Sequence, residues 1–279
     1  MQVGIGLPNA IPGTTGATLL EWARRADAGP FSTLGVLDRL RYDSADPFVV
    51  LAAAAAVTER IGLATTIAIG PLRRGAVLAK QAVSVHALAP GRVTVGLAVG
   101  ARPDDYESAE AEYGTRGAVL SRELSYLRGP FESAGIGPAA TFGEGGIPLL
   151  IGGAGPAALT RMARYADGYV HGGGPPRAFG SAAVKARAAW HDLDRPGDPA
   201  LWGQGYVALA DADRGREYLL DYYAFTGPFA VRIAASALTD AAAVRDFVRG
   251  YAAEGCDELI LFPTTDDPDE VDRLAEILS

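Results

Sequence analysis

Short apolar runs alternate with amphipathic stretches along the whole chain. Gly or Pro bounds most of the apolar runs, and their apolar residues occupy both odd and even positions. Apolar side chains at both odd and even positions predict strands that are covered on both faces, as in a parallel sheet. The expected strands are residues 3–8, 32–37, 61–69, 92–99, 148–152, 167–172, 203–210 and 257–263.

Helical patterns fill the segments between these strands. The stretch 46–62 is one example, with Asp46 as N-cap, Pro47 in the first turn and Gly62 at the end. The expected helices are residues 15–28, 46–62, 75–91, 116–129, 155–168, 176–193, 239–255 and 266–279. This alternation predicts an α/β protein, a (β/α)8 TIM barrel that spans residues 1–279 as a single domain. An open doubly wound sheet is the alternative. Predicted loops at 130–146 and 194–202 interrupt the alternation of strands and helices.

Charge and composition exclude several classes of protein. The net charge of −8 argues against a nucleic-acid partner, which requires a basic face. The apolar run 49–57, even with the adjoining Phe48, is shorter than the roughly 20 residues of a membrane span. The start of the chain lacks the features of a signal peptide, so we expect a cytoplasmic protein. The single cysteine, Cys256, precedes an apolar run and is expected to be a small buried residue.

Active sites of such barrels lie at the carboxyl ends of the strands. The two lysines, Lys80 and Lys185, lie within predicted helices, which disfavours a Schiff-base mechanism. Of the three histidines only His171 ends a predicted strand, and no His or Cys cluster has the spacing of zinc ligands. A magnesium site on scattered acidic residues stays open.

The stretch "IPLLIGGAGP", residues 147–156, ends the fifth predicted strand and begins a helix. Glycines permit close approach of a ligand to the backbone, and the N–H groups and dipole of the helix favour an anion. The stretch therefore predicts either a phosphate site or a turn that needs a positive φ.

Several stretches in order along the chain match one known family: "GIGLP", "LGVLDRLRYD", "TERIGLATTIAIGPLRR", "GRVTVGLAVGARPDDYE", "PLLIGGAGPAALTRMARYADGY" and "CDELILFPTTDDPDEVDRLAEIL". The chain resembles the bacterial luciferase-like flavin-dependent oxidoreductases, which are (β/α)8 barrels. Members of this family use reduced flavin mononucleotide (FMN) or the deazaflavin coenzyme F420.

The resemblance implies roles for particular residues. The turn after the fifth strand would hold the cofactor phosphate, through Gly152, Gly153, Ala154 and Gly155. A bulge with a non-proline cis peptide, at about Ile67 and Ala68, would press on the flavin face. Gly100 and Ala101 would line the cofactor, and Asp38 would lie near the ring pocket.

The chain also departs from part of the family. Sugar-phosphate dehydrogenases that use F420 have a His where this chain has Arg39, and a Glu where it has Ala101. His171 and Asp38 remain as candidate catalytic residues, His171 as a proton donor or ligand-binding group and Asp38 at the ring or as a support for a loop. Arg39, Arg41, Arg73 and Arg74 are read as anion-binding or surface residues, and Tyr106 and the "YYAF" patch at 222–225 as packing.

The expected activity is that of a monooxygenase that uses reduced FMN and oxygen on a small organic substrate. A separate flavin reductase would supply the reduced flavin, and the resemblance implies a homodimer through the second and third helices. The alternatives are an F420-dependent dehydrogenase or reductase that transfers hydride, a catalytically silent flavin-binding barrel, and a phosphate-binding barrel enzyme without flavin.

Overall fold

Eight parallel strands close into one barrel, in which each strand pairs with its neighbours along the chain and β8 pairs with β1. The computed structural model describes residues 1–129, 134–143 and 145–279. The strands are β1 (Gln2–Gly6), β2 (Thr33–Val36), β3 (Gly62–Ile69), β4 (Val93–Ala98), β5 (Leu149–Gly152), β6 (Gly168–Val170), β7 (Ala200–Val207) and β8 (Glu258–Pro263). The predicted TIM barrel is therefore confirmed, and the open sheet is excluded.

Helices surround the barrel on its outside. Within the described residues they are α1 (Gly16–Ala28), α2 (Pro47–Ala55), α3 (Gly75–Leu88), α4 (Pro103–Ser108), α5 (Arg116–Leu127), α6 (Pro156–Tyr165), α7 (Pro176–His191), α8 (Ala212–Tyr222), α9 (Phe229–Ala234), α10 (Ala241–Ala253) and α11 (Asp269–Leu278). The loop expected at 130–146 falls in part on residues 130–133 and 144, which lie outside the described residues.

Burial on both faces explains the apolar pattern of the strands. All residues of β2, β5 and β8 are buried, because their side chains pack alternately into the barrel and against the helices. The strand β7 differs, since buried residues alternate there with half-buried ones. It begins at Ala200, three positions before the predicted start, because Ala200 pairs with Gly168 and Trp202 with Glu258.

Helix α2 begins as predicted and ends earlier than predicted. The Asp46 carboxylate accepts hydrogen bonds from two backbone N–H groups of the first turn, and Pro47 follows it. Beyond Ala55 the Asp27 carboxylate accepts the N–H groups of residues 59–61 at 2.7–3.0 Å. These bonds to α1 replace the intrahelical bonds that a helix up to Gly62 would need.

The connection between β7 and β8 contains more helices than the single one that the pattern predicted. It contains α8 and α9 ahead of α10. Tyr218, Leu219 and Tyr222 of α8 join Ala10 and Ile11, which follow β1, in a second hydrophobic cluster apart from the main core. Since the chain runs on from the carboxyl end of β7, this cluster covers one side of the barrel mouth.

Candidate functional site

A cavity of about 320 Å³ lies at the carboxyl ends of the strands. Its size falls at the lower end of the range for small-molecule sites, roughly 300–1,000 Å³. The walls are formed by Leu37, Asp38, Thr66, Ile67, Ile69, Ala98, Val99, Gly100, Ala101, Arg102, Gly152, Gly153, Val170, Gly172, Gln204, Tyr222, Tyr223 and Phe225. Six of the ten residues predicted for the site are thus gathered here.

The strand β3 carries the expected irregularity. Its pairing with β4 shifts register between Thr65 and Ala68, and the peptide bond between Thr66 and Ile67 is cis. The cis bond thus lies one peptide earlier than the Ile67–Ala68 position that the resemblance implied. Ile67 lines the cavity, whereas Ala68 is fully buried and pairs with Leu97.

Thr66 presents two polar groups beside this bulge. Its carbonyl oxygen accepts a hydrogen bond from Gln204 Nε2 at 3.0 Å, which ties β3 to β7 across the barrel. Its hydroxyl oxygen is buried and has no partner among the described residues. A buried hydroxyl without a partner is uncommon and costs free energy.

The turn after β5 lies partly in the cavity wall and partly on the exposed surface. Gly152 and Gly153 line the cavity, while Ala154 and Gly155 lie beyond it on the exposed surface. Gly153 has φ +124°, a backbone conformation that favours glycine. Helix α6 begins at Pro156, and its first turn holds no acidic side chain. The free N–H groups and the positive end of the helix dipole therefore favour an anion at this turn.

The turn after β4 forms the neighbouring wall. Gly100 has φ +68°, and a Cβ added there would lie 2.8 Å from Ile69 Cγ2. Gly100, Ala101 and Arg102 all line the cavity. Glycine is thus required at this position both by the turn and by the close approach of β3.

Asp38 lines the cavity, but its carboxylate is engaged by other residues. It accepts the Ile69 N–H at 2.8 Å and a bond from Arg73 Nη1 at 2.6 Å. Arg73 also bonds to Asp46 at 2.8 Å. Burial alone would lower the pKa of Arg73, but the two carboxylates outweigh burial and raise it. Asp38 therefore joins the ends of β2 and β3, and this ion pair occupies Arg73.

The structure does not bring His171 to the cavity. Val170 points into the barrel and lines the cavity, so the next residue along the strand points outward. The His171 ring packs edge-on against Phe179 of α7, with its centroid 5.9 Å away, and Nδ1 lies 3.5 Å from the Tyr169 hydroxyl. Burial lowers the pKa of His171. The expected proton donor is therefore part of the layer between barrel and helix.

The "YYAF" patch forms one wall of the cavity, and its reading as packing was incomplete. Tyr222, Tyr223 and Phe225 all line the cavity. The Tyr223 hydroxyl lies 2.7 Å from that of Tyr206, and burial raises the pKa of both. The signal in the sequence was three aromatic residues within four positions, in the connection between β7 and β8. Tyr106 is packing as predicted, since it is buried and its hydroxyl bonds to the Val99 carbonyl.

The arginines of the β2–α2 loop are paired with carboxylates. Arg39 approaches Asp104 at 3.4 Å, and its guanidinium lies over the Tyr42 ring at 4.3 Å. Arg41 forms an exposed pair with Glu107. Arg102, which sequence reasoning did not single out, is the buried arginine of the cavity wall, at 7% exposed.

A second cavity of about 510 Å³ adjoins the first. The two share Gly172, Gln204 and Tyr223, and the second extends between the loop after β6 and helix α9. The barrel mouth therefore offers an elongated cleft with Tyr223 at its middle.

The described residues also bear on other kinds of site. No group of three or more His, Cys, Asp or Glu side chains in that part of the chain could hold a metal ion. No helix among these residues is long and apolar enough to cross a membrane. Cys256 is buried as expected, and its thiol bonds to the Glu258 carbonyl.

The closed parallel barrel, the glycine-lined cavity at its strand ends and the bulged third strand together define a TIM-barrel protein. The family model described as luciferase-like monooxygenase matches residues 1–258. The chain belongs to this family, and the predicted resemblance is confirmed.

Curated relatives and solved structures agree with this assignment. An uncharacterised protein of Mycobacterium tuberculosis is 33% identical over 190 residues, which cover 55% of this chain and 65% of the relative. An F420-dependent secondary alcohol dehydrogenase in complex with an F420–acetone adduct has a TM-score of 0.77 at 16% identity, covering 99% of this chain and 97% of its own. The oxygenating constituent of 3,6-diketocamphane monooxygenase from Pseudomonas putida, in complex with FMN, has a TM-score of 0.68 at 14% identity, covering 100% and 96%. At these identities the structures are alike in fold.

Proposed function

We propose that this protein is a flavin-dependent oxidoreductase that oxygenates a small organic substrate with reduced FMN and oxygen. The observation that carries the proposal is the cavity at the strand ends, whose wall combines Gly100, Gly152 and Gly153 with the bulge of β3. Reduced FMN, when bound, supplies the electrons that activate oxygen. The protein's part is to hold the cofactor and substrate together and to exclude water.

The residues present fit such a cofactor. Because the three glycines have no side chains, a flat ring can approach this part of the wall closely. Thr66 also lines the cavity, and its buried hydroxyl has no hydrogen-bond partner among the described residues. The exposed turn Gly153–Gly155 and the N-terminus of α6 suit a phosphate group. Ile67 would contact the ring from the bulge.

The cavity wall favours oxygenation over hydride transfer. Removing hydride from an alcohol also requires a base for the hydroxyl proton. Among the described residues of the wall there is no histidine, and the one carboxylate, Asp38, is paired with Arg73. Position 101 is Ala and position 39 is Arg, so the acid–base pair of the F420-dependent sugar-phosphate dehydrogenases is missing.

F420-dependent hydride transfer is the second candidate because of the Tyr206–Tyr223 hydroxyl pair. Tyr223 lines the cavity, and its hydroxyl hydrogen bonds to Tyr206 at 2.7 Å. This pair would hold a proton at Tyr223 Oη for a substrate oxygen. In that role it would act as an acid, because burial keeps both hydroxyls protonated.

Binding and oxygen consumption separate the candidates. The purified protein is mixed with reduced FMN or reduced F420, and affinity and oxygen uptake are measured with a panel of small organic compounds. We expect FMN binding and oxygen uptake that rises with the substrate. Tight F420 binding without oxygen uptake would replace the proposal with hydride transfer. Binding of either cofactor without turnover would indicate a silent barrel.

We also propose a homodimer through α2 and α3. Val49 on α2 is 67% exposed, and Val77 and Leu88 on α3 are exposed as well. Val49→Glu should convert a dimer to a monomer in sedimentation velocity. Val184→Glu is the matched control, because Val184 is equally exposed on α7. A wild-type monomer would contradict the proposal.

A further inference from the structure

Arg102 carries a buried positive charge into the wall of the cavity. It lies between β4 and α4, lines the cavity and is 7% exposed. A guanidinium is a cation with five N–H donors and no acceptor. The charge must therefore be stabilised where it lies.

Within the protein Arg102 contacts the rings of Tyr222 and Phe225, the Tyr222 hydroxyl and the Tyr222 carbonyl oxygen. Its Nη2 donates to the Tyr222 carbonyl oxygen at 3.0 Å. Its Cζ lies 4.2 Å from the Phe225 ring centroid and 4.6 Å from that of Tyr222. The Nε–H group is buried and has no partner among the described residues. The guanidinium therefore keeps one N–H donor, at Nε, without an acceptor among the described residues.

The neighbouring arginines Arg73 and Arg39, which are partly buried, differ from Arg102 because each has a carboxylate partner. Arg73 pairs with Asp38 and Asp46, and Arg39 with Asp104. Among the described residues no carboxylate oxygen lies within the 4.0 Å of a salt bridge to Arg102. Cation–π contacts offset only part of the cost of burying a charge, whereas an anion that accepts two guanidinium hydrogen bonds would offset much more.

We propose that Arg102 binds the carboxylate of the substrate, which is a small carboxylic acid with an apolar or aromatic body. The planar fork matches a carboxylate, and the aromatic and aliphatic wall of Tyr222, Phe225, Val99 and Leu37 suits an apolar body. The proposed cofactor phosphate has its own seat on the exposed turn after β5. The inference rests on the proposed function only in taking this cavity as the substrate site, because carboxylate binding itself requires no cofactor.

Calorimetric titration of the cofactor-free protein tests this without turnover. The probes are two matched pairs, benzoate with benzamide and octanoate with octanamide. We expect at least one carboxylate to bind wild-type protein tenfold or more tightly than its amide, which has the same body without the charge. If both carboxylates bind no more tightly than their amides, the inference is overturned.

Substitution then assigns the preference to Arg102. Arg102→Met should abolish the preference for the carboxylate, and Arg102→Lys should retain part of it. Arg116→Met is the matched control, because Arg116 also stacks on a tyrosine, donates to a backbone carbonyl and has an unpartnered Nε, yet lies outside the cavity wall. An unchanged preference in Arg102→Met would overturn the inference. If Arg102→Met does not fold, retention in Arg102→Lys with loss in Arg102→Gln supplies the same comparison.

A parallel titration with FMN separates this inference from the proposed function. We expect Arg102→Met to leave FMN affinity within about threefold of wild type. A large loss of FMN affinity with an unchanged carboxylate preference would assign Arg102 to the cofactor and overturn the inference. Carboxylate preference in a protein that binds no FMN would uphold the inference and refute the proposed function.

Discussion

Replacement of Gly153 by Ala, with Gly155→Ala as control, tests the proposed phosphate seat most directly. Gly153 has φ +124°, and a Cβ added there would lie 3.0 Å from Ala158 Cβ. Gly155 has φ −85°, and a Cβ added there would meet no atom within 4 Å. Both substitutions add one methyl group to the same turn, so their difference reports the backbone geometry at Gly153.

The expected magnitudes follow from this geometry. Holding a non-glycine residue in such a conformation costs about 1–3 kcal/mol, which corresponds to roughly 2–12 °C in Tm for a domain near this size. At Gly155, Ala is a poorer N-cap than Gly but has less entropy in the unfolded chain, so Tm should change little. Rotation of the peptide that relieves strain at Gly153 would turn an N–H group away from a bound phosphate. Loss of one such bond, about 1.5–3 kcal/mol, weakens binding by roughly 10- to 150-fold.

Quenching of flavin fluorescence, measured well below the lowest Tm, provides the assay. FMN and riboflavin are titrated in parallel, because riboflavin has the same ring and lacks the phosphate. We expect Gly153→Ala to weaken FMN binding by the factor above and to leave riboflavin binding unchanged, while Gly155→Ala changes neither. Wild-type FMN affinity in Gly153→Ala, or an equal loss for both flavins, would refute the phosphate seat.

Three further predictions concern a carboxylate, a hydroxyl and a thiol. Partial burial raises the pKa of Asp27, but hydrogen bonds from three backbone N–H groups outweigh burial and lower the pKa. The ionised Asp27 carboxylate therefore stabilises the fold fully above the unfolded pKa of about 3.9. This stabilisation is lost as the pH falls through the lower pKa of the folded state. Asp27→Ala should therefore lower Tm more near neutral pH than near about pH 2 in calorimetry, and an equal loss would contradict this. Tyr223→Phe removes the hydroxyl bonded to Tyr206 and should reduce turnover while FMN affinity stays within about twofold, so unchanged turnover would exclude a role for that hydroxyl. Burial raises the pKa of the Cys256 thiol to about 12, so a disulfide reagent near about pH 8 should label the denatured chain and not the native one, and rapid native labelling would contradict the burial.

The family and the barrel could be predicted because they depend on patterns that are local and repeated. Strands buried on both faces leave apolar runs without alternation, and β2, β5 and β8 are buried at every position. The N-cap at Asp46 and the glycine turn at 152–155 are likewise short-range signals. The order of eight such units along the chain leaves few ways to close the sheet.

The tertiary structure decided which strand-end residues face the cavity. His171 and Arg102 both follow a barrel strand, yet His171 packs on Phe179 outside the barrel while Arg102 lines the cavity. One step along a strand reverses the direction of a side chain, so a boundary uncertain by one residue leaves its orientation open. The direction of the His171 side chain is therefore known only from the tertiary structure.

The sequence also could not predict which side chains pair over long distances along the chain. Asp38 is held by Arg73, which is 35 positions away, and Arg102 contacts Tyr222 at a separation of 120 positions. Whether a charged side chain is paired depends on contacts that only the closed barrel creates. The sequence by itself therefore determined the class of barrel and the turn proposed for the phosphate. The fold decided that Asp38 is paired with Arg73, while Arg102 has no carboxylate partner among the described residues.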